Sequence, residues 1–447
     1  MNIWTSIKNF RDLYAPRGTQ ILLLILVVLI PFSIRYVFQS PIAYQTGAYS
    51  DFTSLSLYIS DLILLGLLCL SILFHMKQPV NRIWLISAFG AISWILLEII
   101  FQNHEYVSLQ VYFSARFILL ILLASQISKI NVPREKLAWI FSILGAIQGL
   151  IACFQFYSQK SLGLYFLGES HLSPDTLGVA KIVAHGTKMI RGYGTFPHPN
   201  VLSAFLIVTT LLNLYLITKS IQKSRDIFLY ILLFANVFGI FTSFSRGGII
   251  GFGLATLSVL VIFLINKQYS AIKRAIIPLG ISCIISVTVL FPCLNTGVTI
   301  TDNSTKERLY HNEIGTRIIS NNIFTGVGIG TSVLHMKQYS NQELQPWEVQ
   351  PIHNYWLILW AEWGIGAICP IILLLYPIFA LIKRESTIWR RFLIGILAGF
   401  MTVFLLDHYF YTIWQTQLLL WIILGLVLRE IKETPAETTA PAPNTAI

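Results

Sequence analysis

Charge is scarce in this sequence. Asp, Glu, Lys and Arg make up 11% of its 447 residues and hydrophobic residues 55%, whereas a soluble globular domain carries about 25% charged residues. With a mean hydropathy of +0.69, the chain must be solvated mostly by lipid. Cysteine is scarce too. Cys69, Cys153, Cys283, Cys293 and Cys369 form no CxxC pair and lie inside or at the edge of apolar runs, so they read as small core residues, excluding a disulfide framework or a thiolate metal site. A leader pattern is missing: the apolar stretch from Ile21 runs to about Phe38 with no small-residue cleavage site. The first 20 residues mix Lys8, Arg11 and Arg17 with Ile3, Trp4, Ile7, Phe10 and Leu13, which predicts a short interfacial helix before the first span.

Long apolar runs are what the sequence has. A helix of about 20 residues crosses a ~30 Å hydrocarbon core. Runs of that kind fall near 20–38, 55–74, 83–101, 107–127, 137–157 and 198–218, then 227–243, 249–266, 275–293, 354–382, 392–410 and 412–428. The expected fold class is therefore an all-α polytopic membrane protein of 12 transmembrane helices. The run over 354–382 is long and is expected to bend near Gly364–Gly366.

Basic residues test this topology through the positive-inside rule. With the N-terminus cytoplasmic, the cytoplasmic segments hold 20 of the 31 Lys and Arg, and each has at least two. That side then carries +13 and the remainder −2, so the net +11 follows from membrane orientation and is no argument for nucleic acid. The expected organisation is an N-terminal cytoplasmic or interfacial segment over 1–19, helices one to nine over 20–293, a large external loop over 294–353, helices ten to twelve over 354–428, and a cytoplasmic tail over 429–447. The Pro/Thr/Ala-rich stretch Thr434–Ile447 is expected to be disordered.

Two connections, 158–197 and 294–353, are long where the rest are short, and long loops on a rigid scaffold are where sites are found. Orientation does not explain Arg35, Arg116, Lys160, Lys181, Lys188, Arg191, Arg246, Lys306, Arg308, Arg317 and Lys337. Arg191 opens Arg-Gly-Tyr-Gly-Thr-Phe-Pro-His-Pro-Asn200, where Gly192 and Gly194 allow close backbone approach to a ligand and a helix N-terminus follows. Arg246 lies in Ser-Arg-Gly-Gly248 between two apolar runs, where an arginine must be paired, solvated or interfacial. A helix is expected over 306–320. Arg308 and Arg317 are nine residues apart, on opposite faces, and Glu313 is one turn before Arg317. Arg317 thus reads as half of a structural pair and Arg308 as the ligand candidate. His353, in Pro-Ile-His-Asn-Tyr-Trp356, can take a proton from a hydroxyl near neutral pH. For each residue alone, a snorkelling or interfacial role stays open.

Together, Arg191, Arg246, Arg308 and His353 suit an anionic, diphosphate-like ligand and one proton transfer, because arginine binds phosphate oxygens bidentately and keeps its charge. Asp302, Glu307, Glu313, Glu343 and Glu348 show no compact metal-ligand spacing, so no metal and no cofactor is expected.

At these residues the chain resembles the O-antigen ligase superfamily, with its O-antigen polymerases and bacterial O-linked oligosaccharyltransferases. The resemblance rests on Gly194–Asn200, Ser245-Arg246-Gly247, Arg308 followed by Ile323–Gly330, and His353-Asn354-Tyr355 followed by Glu362–Gly366, across about 190–370. It implies transfer of a glycan from undecaprenyl diphosphate to an acceptor hydroxyl, lipid A-core for a ligase, on the periplasmic face of a bacterial inner membrane. It also implies that Arg191, Arg246 and Arg308 hold the diphosphate, that His353 is the general base, and that the anomeric carbon inverts. Acceptor identity, and any role for Arg317, Lys306 and Lys337, are not legible. The rival class is a transporter of the same lipid-linked glycan, but the halves show no repeat, and the intramembrane charges Asp61, Glu98 and Arg116 read as few and scattered.

Overall fold

A computed structural model of the chain describes residues 3–75, 80–101, 104–184, 186–294, 303–385 and 387–432. The expectations for Lys77, for Asp302 and for residues 433–447 fall outside these residues, as do the side chains of Lys8, Arg11 and Cys293. Among the described residues, ten helices are long and apolar enough to cross a membrane, and two shorter apolar stretches, Pro16–Leu29 and Ile59–Leu73, overlap the first two expected spans. The protein is an all-α multi-pass membrane protein. Its described strands form two short antiparallel ribbons, Arg35–Phe38 with Leu55–Tyr58 and Lys181–Ala184 with Thr187–Ile190.

Burial separates the helices. Pro199–Lys219 is buried over 94% of its apolar window and Trp414–Lys432 over 89%, so these two are the most enclosed of the spanning helices. Tyr269–Leu290 is only 22% buried and lies at the lipid-facing periphery. The 354–382 run does break. Tyr355–Trp363 ends at Gly364, a 3-10 turn covers Gly364–Ala367, and Ile368–Ile382 completes the span.

Several boundaries differ from the sequence reading, and charge pairing explains most of them. The N-terminal helix is continuous over Ile3–Leu29, passing through the expected boundary at 19. The last helix extends to Lys432, beyond the expected start of the tail at 429. Its charged end is satisfied there: Arg429 donates to the Val132 carbonyl at 2.9 Å, and Glu430, 1% exposed, meets Arg134 at 2.7 Å and Arg390 at 3.1 Å. Ile388–Leu406 begins and ends four residues before the expected 392–410. Arg390 enters its first turn through Glu430, and the helix stops before Asp407. Asp61 and Arg116 are not scattered charges. They form a buried pair at 2.7 Å, with the guanidinium also over Trp414 at 4.1 Å.

The long segment after residue 303 is tied down by glycine. The Asn303–Asn321 helix leads into Gly326, Gly328 and Gly330, with φ of 67°, 107° and 77°. Val327 and Gly328 donate to the carbonyls of Ala361 and Glu362 at 2.9 and 3.1 Å, so the glycine run lies along the break in the next span. A Cβ at Gly326 would stand 2.1 Å from the Glu362 oxygen. The Glu362 carboxylate accepts from Gly330 N at 2.6 Å and Ser332 Oγ at 2.6 Å, and Glu98 accepts from Ile329 N at 2.6 Å. The run is thus an anchoring bend.

Candidate active site

Arg134, Arg390 and Arg429 gather around Glu430 and the 130–132 carbonyls at one end of the bundle. The Ile388–Leu406 helix, about 28 Å long at 1.5 Å per residue, carries Arg390 at that end. At its other end the Leu406 carbonyl accepts from Arg308 at 3.2 Å. Here a cavity of about 300 Å³ is lined by Arg191, Arg246, Arg308 and His353, the four residues singled out from the sequence.

Each side chain is placed by a separate device. Arg191 follows the Thr187–Ile190 strand, and its turn is held by two buried glutamines. Gln155 accepts from Tyr193 N and Gly194 N at 3.0 and 2.8 Å, and Gln148 accepts from Thr195 N at 2.9 Å. Gly192 and Gly194 therefore serve approach to the Arg134–Ser158 helix and not to a ligand, correcting the expectation. A Cβ at Gly192 would be 2.8 Å from the Ala152 oxygen. Arg191 donates through Nε to the Ser243 carbonyl at 2.6 Å and through Nη2 to Asn200 Oδ1 at 2.7 Å. Burial pulls its pKa down to about 10, leaving it protonated at neutral pH.

Arg246 is the first residue of the Arg246–Ile265 helix, whose cap Ser245 accepts from Gly248 N at 3.1 Å. Its Nη2 reaches Thr305 Oγ1 at 3.2 Å. His198 caps Pro199–Lys219 and also lines the cavity with Asn200. Two helix N-termini thus point their positive ends at one space, which favours an anion. Arg308, from Asn303–Asn321, lies 3.4 Å from Asp407 Oδ2. Arg317, on the opposite face, pairs with Glu313 and donates to the Tyr339 carbonyl at 3.1 Å, away from the cavity.

Charge decides what the cavity can hold. Lys181 joins the three arginines on its lining, against Glu307 on the wall and Asp407 behind Arg308. Four cations against two carboxylates leave a surplus of two positive charges, the complement of a diphosphate diester.

His353 is 7% exposed and belongs to a histidine cluster. Its ring stacks on His311 at 5.2 Å and meets His408 edge-on at 5.0 Å. The hydrogen bonds assign its tautomer. His311 Nε2 faces the Glu348 carbonyl at 2.9 Å, which can only accept, so Nε2 carries the proton and Nδ1 the lone pair. His311 Nδ1 lies 3.3 Å from His353 Nδ1. His353 must donate there, leaving its Nε2 as the basic atom. Burial, His408, Arg308 and His311 push His353 well below the ordinary histidine range, so it is neutral at pH 7.

Sequence reasoning missed Asp407, His408 and His311, and gave no role to Lys181 and Asn200, although it named both. Asp407 accepts from Asn200 Nδ2 at 3.0 Å, so a chain of contacts runs Arg191–Asn200–Asp407–Arg308 and fixes two guanidiniums relative to each other. The available signal was an Asp-His pair interrupting an apolar run. Among the described residues, His353, Asp407 and His408 could hold a metal ion, their donor atoms lying within 4.8 Å of one another. The carboxylate is engaged by Arg308, Asn200 and the His408 backbone N (2.9 Å), and His408 Nδ1 by Thr412 at 2.7 Å. A dication there would have to displace these contacts beside a guanidinium.

A family model described as O-Antigen ligase matches residues 230–369, which include Arg246, Arg308 and His353. A general O-oligosaccharyltransferase of Acinetobacter baylyi is 26% identical over 295 aligned positions that cover 61% of this chain. The alignment covers 47% of that protein, so the chain spans about half the length of this curated relative. The two matches support a place in the O-antigen ligase superfamily.

Proposed function

From that similarity, we propose that the protein is a glycosyltransferase that moves a glycan from undecaprenyl diphosphate to an acceptor hydroxyl. The observation that carries this reading is the convergence of Arg191, Arg246, Arg308 and His353 on one cavity with a surplus of two positive charges. The diphosphate sits among the arginines. His353 Nε2 removes the acceptor hydroxyl proton as the acceptor oxygen attacks the anomeric carbon from the face opposite the diphosphate. The carbon–oxygen bond to diphosphate breaks, its electron pair stays on the departing oxygen, and the configuration inverts. Fixed guanidiniums placed where that charge accumulates lower the barrier without reorganising. No metal enters this scheme.

The reaction belongs on the periplasmic side of a bacterial inner membrane, with both termini cytoplasmic, because the basic cluster around Glu430 marks the other end of the bundle. Within the superfamily we favour an O-antigen ligase, with lipid A-core as acceptor, on the description of the matching family model. The relative's name favours a second reading, an O-oligosaccharyltransferase. Purified protein supplied with an undecaprenyl diphosphate glycan and both kinds of acceptor, with and without chelator, tests the proposal. Transfer to one acceptor chooses between the readings, and abolition by chelator removes the metal-free scheme.

A further inference from the structure

A second cavity, of about 860 Å³, adjoins the cationic one and differs from it in chemistry. Its walls come from the Asn303–Asn321 helix, from the 342–350 segment, and from Leu177 and Gly178 in the 158–197 connection. Glu307 and Gln350 line both cavities. His311, stacked on His353, lines the second. A molecule seated there lies against the shared edge of the arginine site and against the back of the imidazole pair.

The lining excludes one class of ligand and suits another. Glu307, Glu343 and Glu348 face a single ammonium, Lys306, so the net charge is two negative where the neighbouring cavity is positive. Phosphate is drawn to the arginines and repelled here. Trp347 stands 71% exposed at the edge. It is presented on the Pro346–Glu348 turn, which is closed by a capping box in which Gln345 N donates to Glu348 Oε2 at 2.8 Å. Gln350 Nε2 donates to the Trp347 carbonyl at 3.3 Å from the other side. An indole held in water by a fixed turn, beside carboxylates and the amides of Gln342 and Gln350, matches a pyranose ring. The C–H face of such a ring packs on an aromatic surface while its hydroxyls meet polar groups at the rim.

We propose that this cavity is a saccharide subsite for uncharged sugar rings, set beside the reacting bond. Its place in the reaction rests on the transferase reading; its chemistry does not. The ring can come from the acceptor or from the donor's own glycan.

The full-length protein in nanodiscs, probed with an array of free neutral oligosaccharides and the same set carrying phosphate, tests the subsite. The expected result is retention of the neutral sugars, with Trp347→Ala and Glu343→Gln each weakening that binding about tenfold, the loss of one well-packed aromatic or hydrogen-bonded contact, and with the phosphorylated set, which the arginines can also hold, less sensitive to both. No retention of the neutral set, or neutral-sugar binding that survives both substitutions, overturns it. Adding undecaprenyl diphosphate glycan displaces the free sugar if the donor's glycan occupies the subsite and leaves it bound if the acceptor does; either result supports the subsite. A protein that binds neutral sugars here but transfers none loses the transferase reading and keeps the subsite. One that transfers glycan with both KM values unchanged in Trp347→Ala keeps the transferase reading and loses the subsite.

Discussion

Replacing His311 by phenylalanine separates a base from the residue that orients it. The phenyl ring keeps the stack on His353, 5.2 Å away and 13° from parallel, but removes the Nδ1 lone pair that accepts from His353 Nδ1 at 3.3 Å. One hydrogen bond is lost, worth about 0.5–1.5 kcal/mol, so kcat should fall about 2- to 13-fold. Loss of the base itself should cost about 10²- to 10⁴-fold. The pH profile supplies a second readout. His353 is held well below the ordinary histidine range partly by His311, so activity is retained at mildly acid pH and lost as pH falls through the lowered value. In acid His311 can itself take a proton and then opposes a second charge on His353; phenylalanine removes that opposition, so the acid limb should move up towards pH 6.5 in His311→Phe. Steady-state transfer kinetics across pH 4–8 give both numbers. Unchanged kcat with an unmoved limb would refute the tautomer argument, and a loss as large as that of His353→Ala would make His311 the base.

Further predictions concern the cations and the topology. Arg191→Lys, Arg246→Lys and Arg308→Lys should each cut kcat/KM about 10- to 100-fold despite conserving charge, because lysine lacks the bidentate fork and a charged hydrogen bond is worth about 1.5–3 kcal/mol. Arg317→Lys, in the Glu313 pair, should be mild; equal loss at all four would dissolve the distinction between the two faces of that helix. In a variant lacking the native cysteines, cysteines at Ser173 and Ser340 should react with an impermeant external thiol reagent and one at Lys223 should not, and the reverse pattern would invert the topology. His353→Arg should be inactive; turnover near the native rate would show that position 353 needs only positive charge.

Much of the fold is legible in the sequence because lipid imposes a simple rule of length and polarity. The run over 354–382 showed its bend at Gly364–Gly366, and the Glu313–Arg317 spacing showed its pair. Where charge enters a helix end, the rule fails. Glu430 is buried only because Arg134 and Arg390 arrive from helices distant in sequence, so a hydropathy reading stops the last span too early. The same blindness hid Asp407 and His408 inside an apolar run, although Asp407 links Asn200 to Arg308. The four residues Arg191, Arg246, Arg308 and His353 could be picked out because each is costly in its own surroundings. His311 could not, since its meaning lies in a contact with His353 made across 42 positions of sequence. Nor could the reason for Gly192, which is packing against Ala152.

The central claim is that a bond to diphosphate is exchanged for a bond to an acceptor. Purified protein in vesicles, given a labelled undecaprenyl diphosphate glycan and a hydroxyl acceptor, tests it most directly. The account predicts glycan on the acceptor with inverted anomeric configuration, free undecaprenyl diphosphate in equal amount, and neither product with His353→Ala. Movement of the labelled donor across the bilayer with its glycan–diphosphate bond intact, and no glycosylated acceptor, would contradict it.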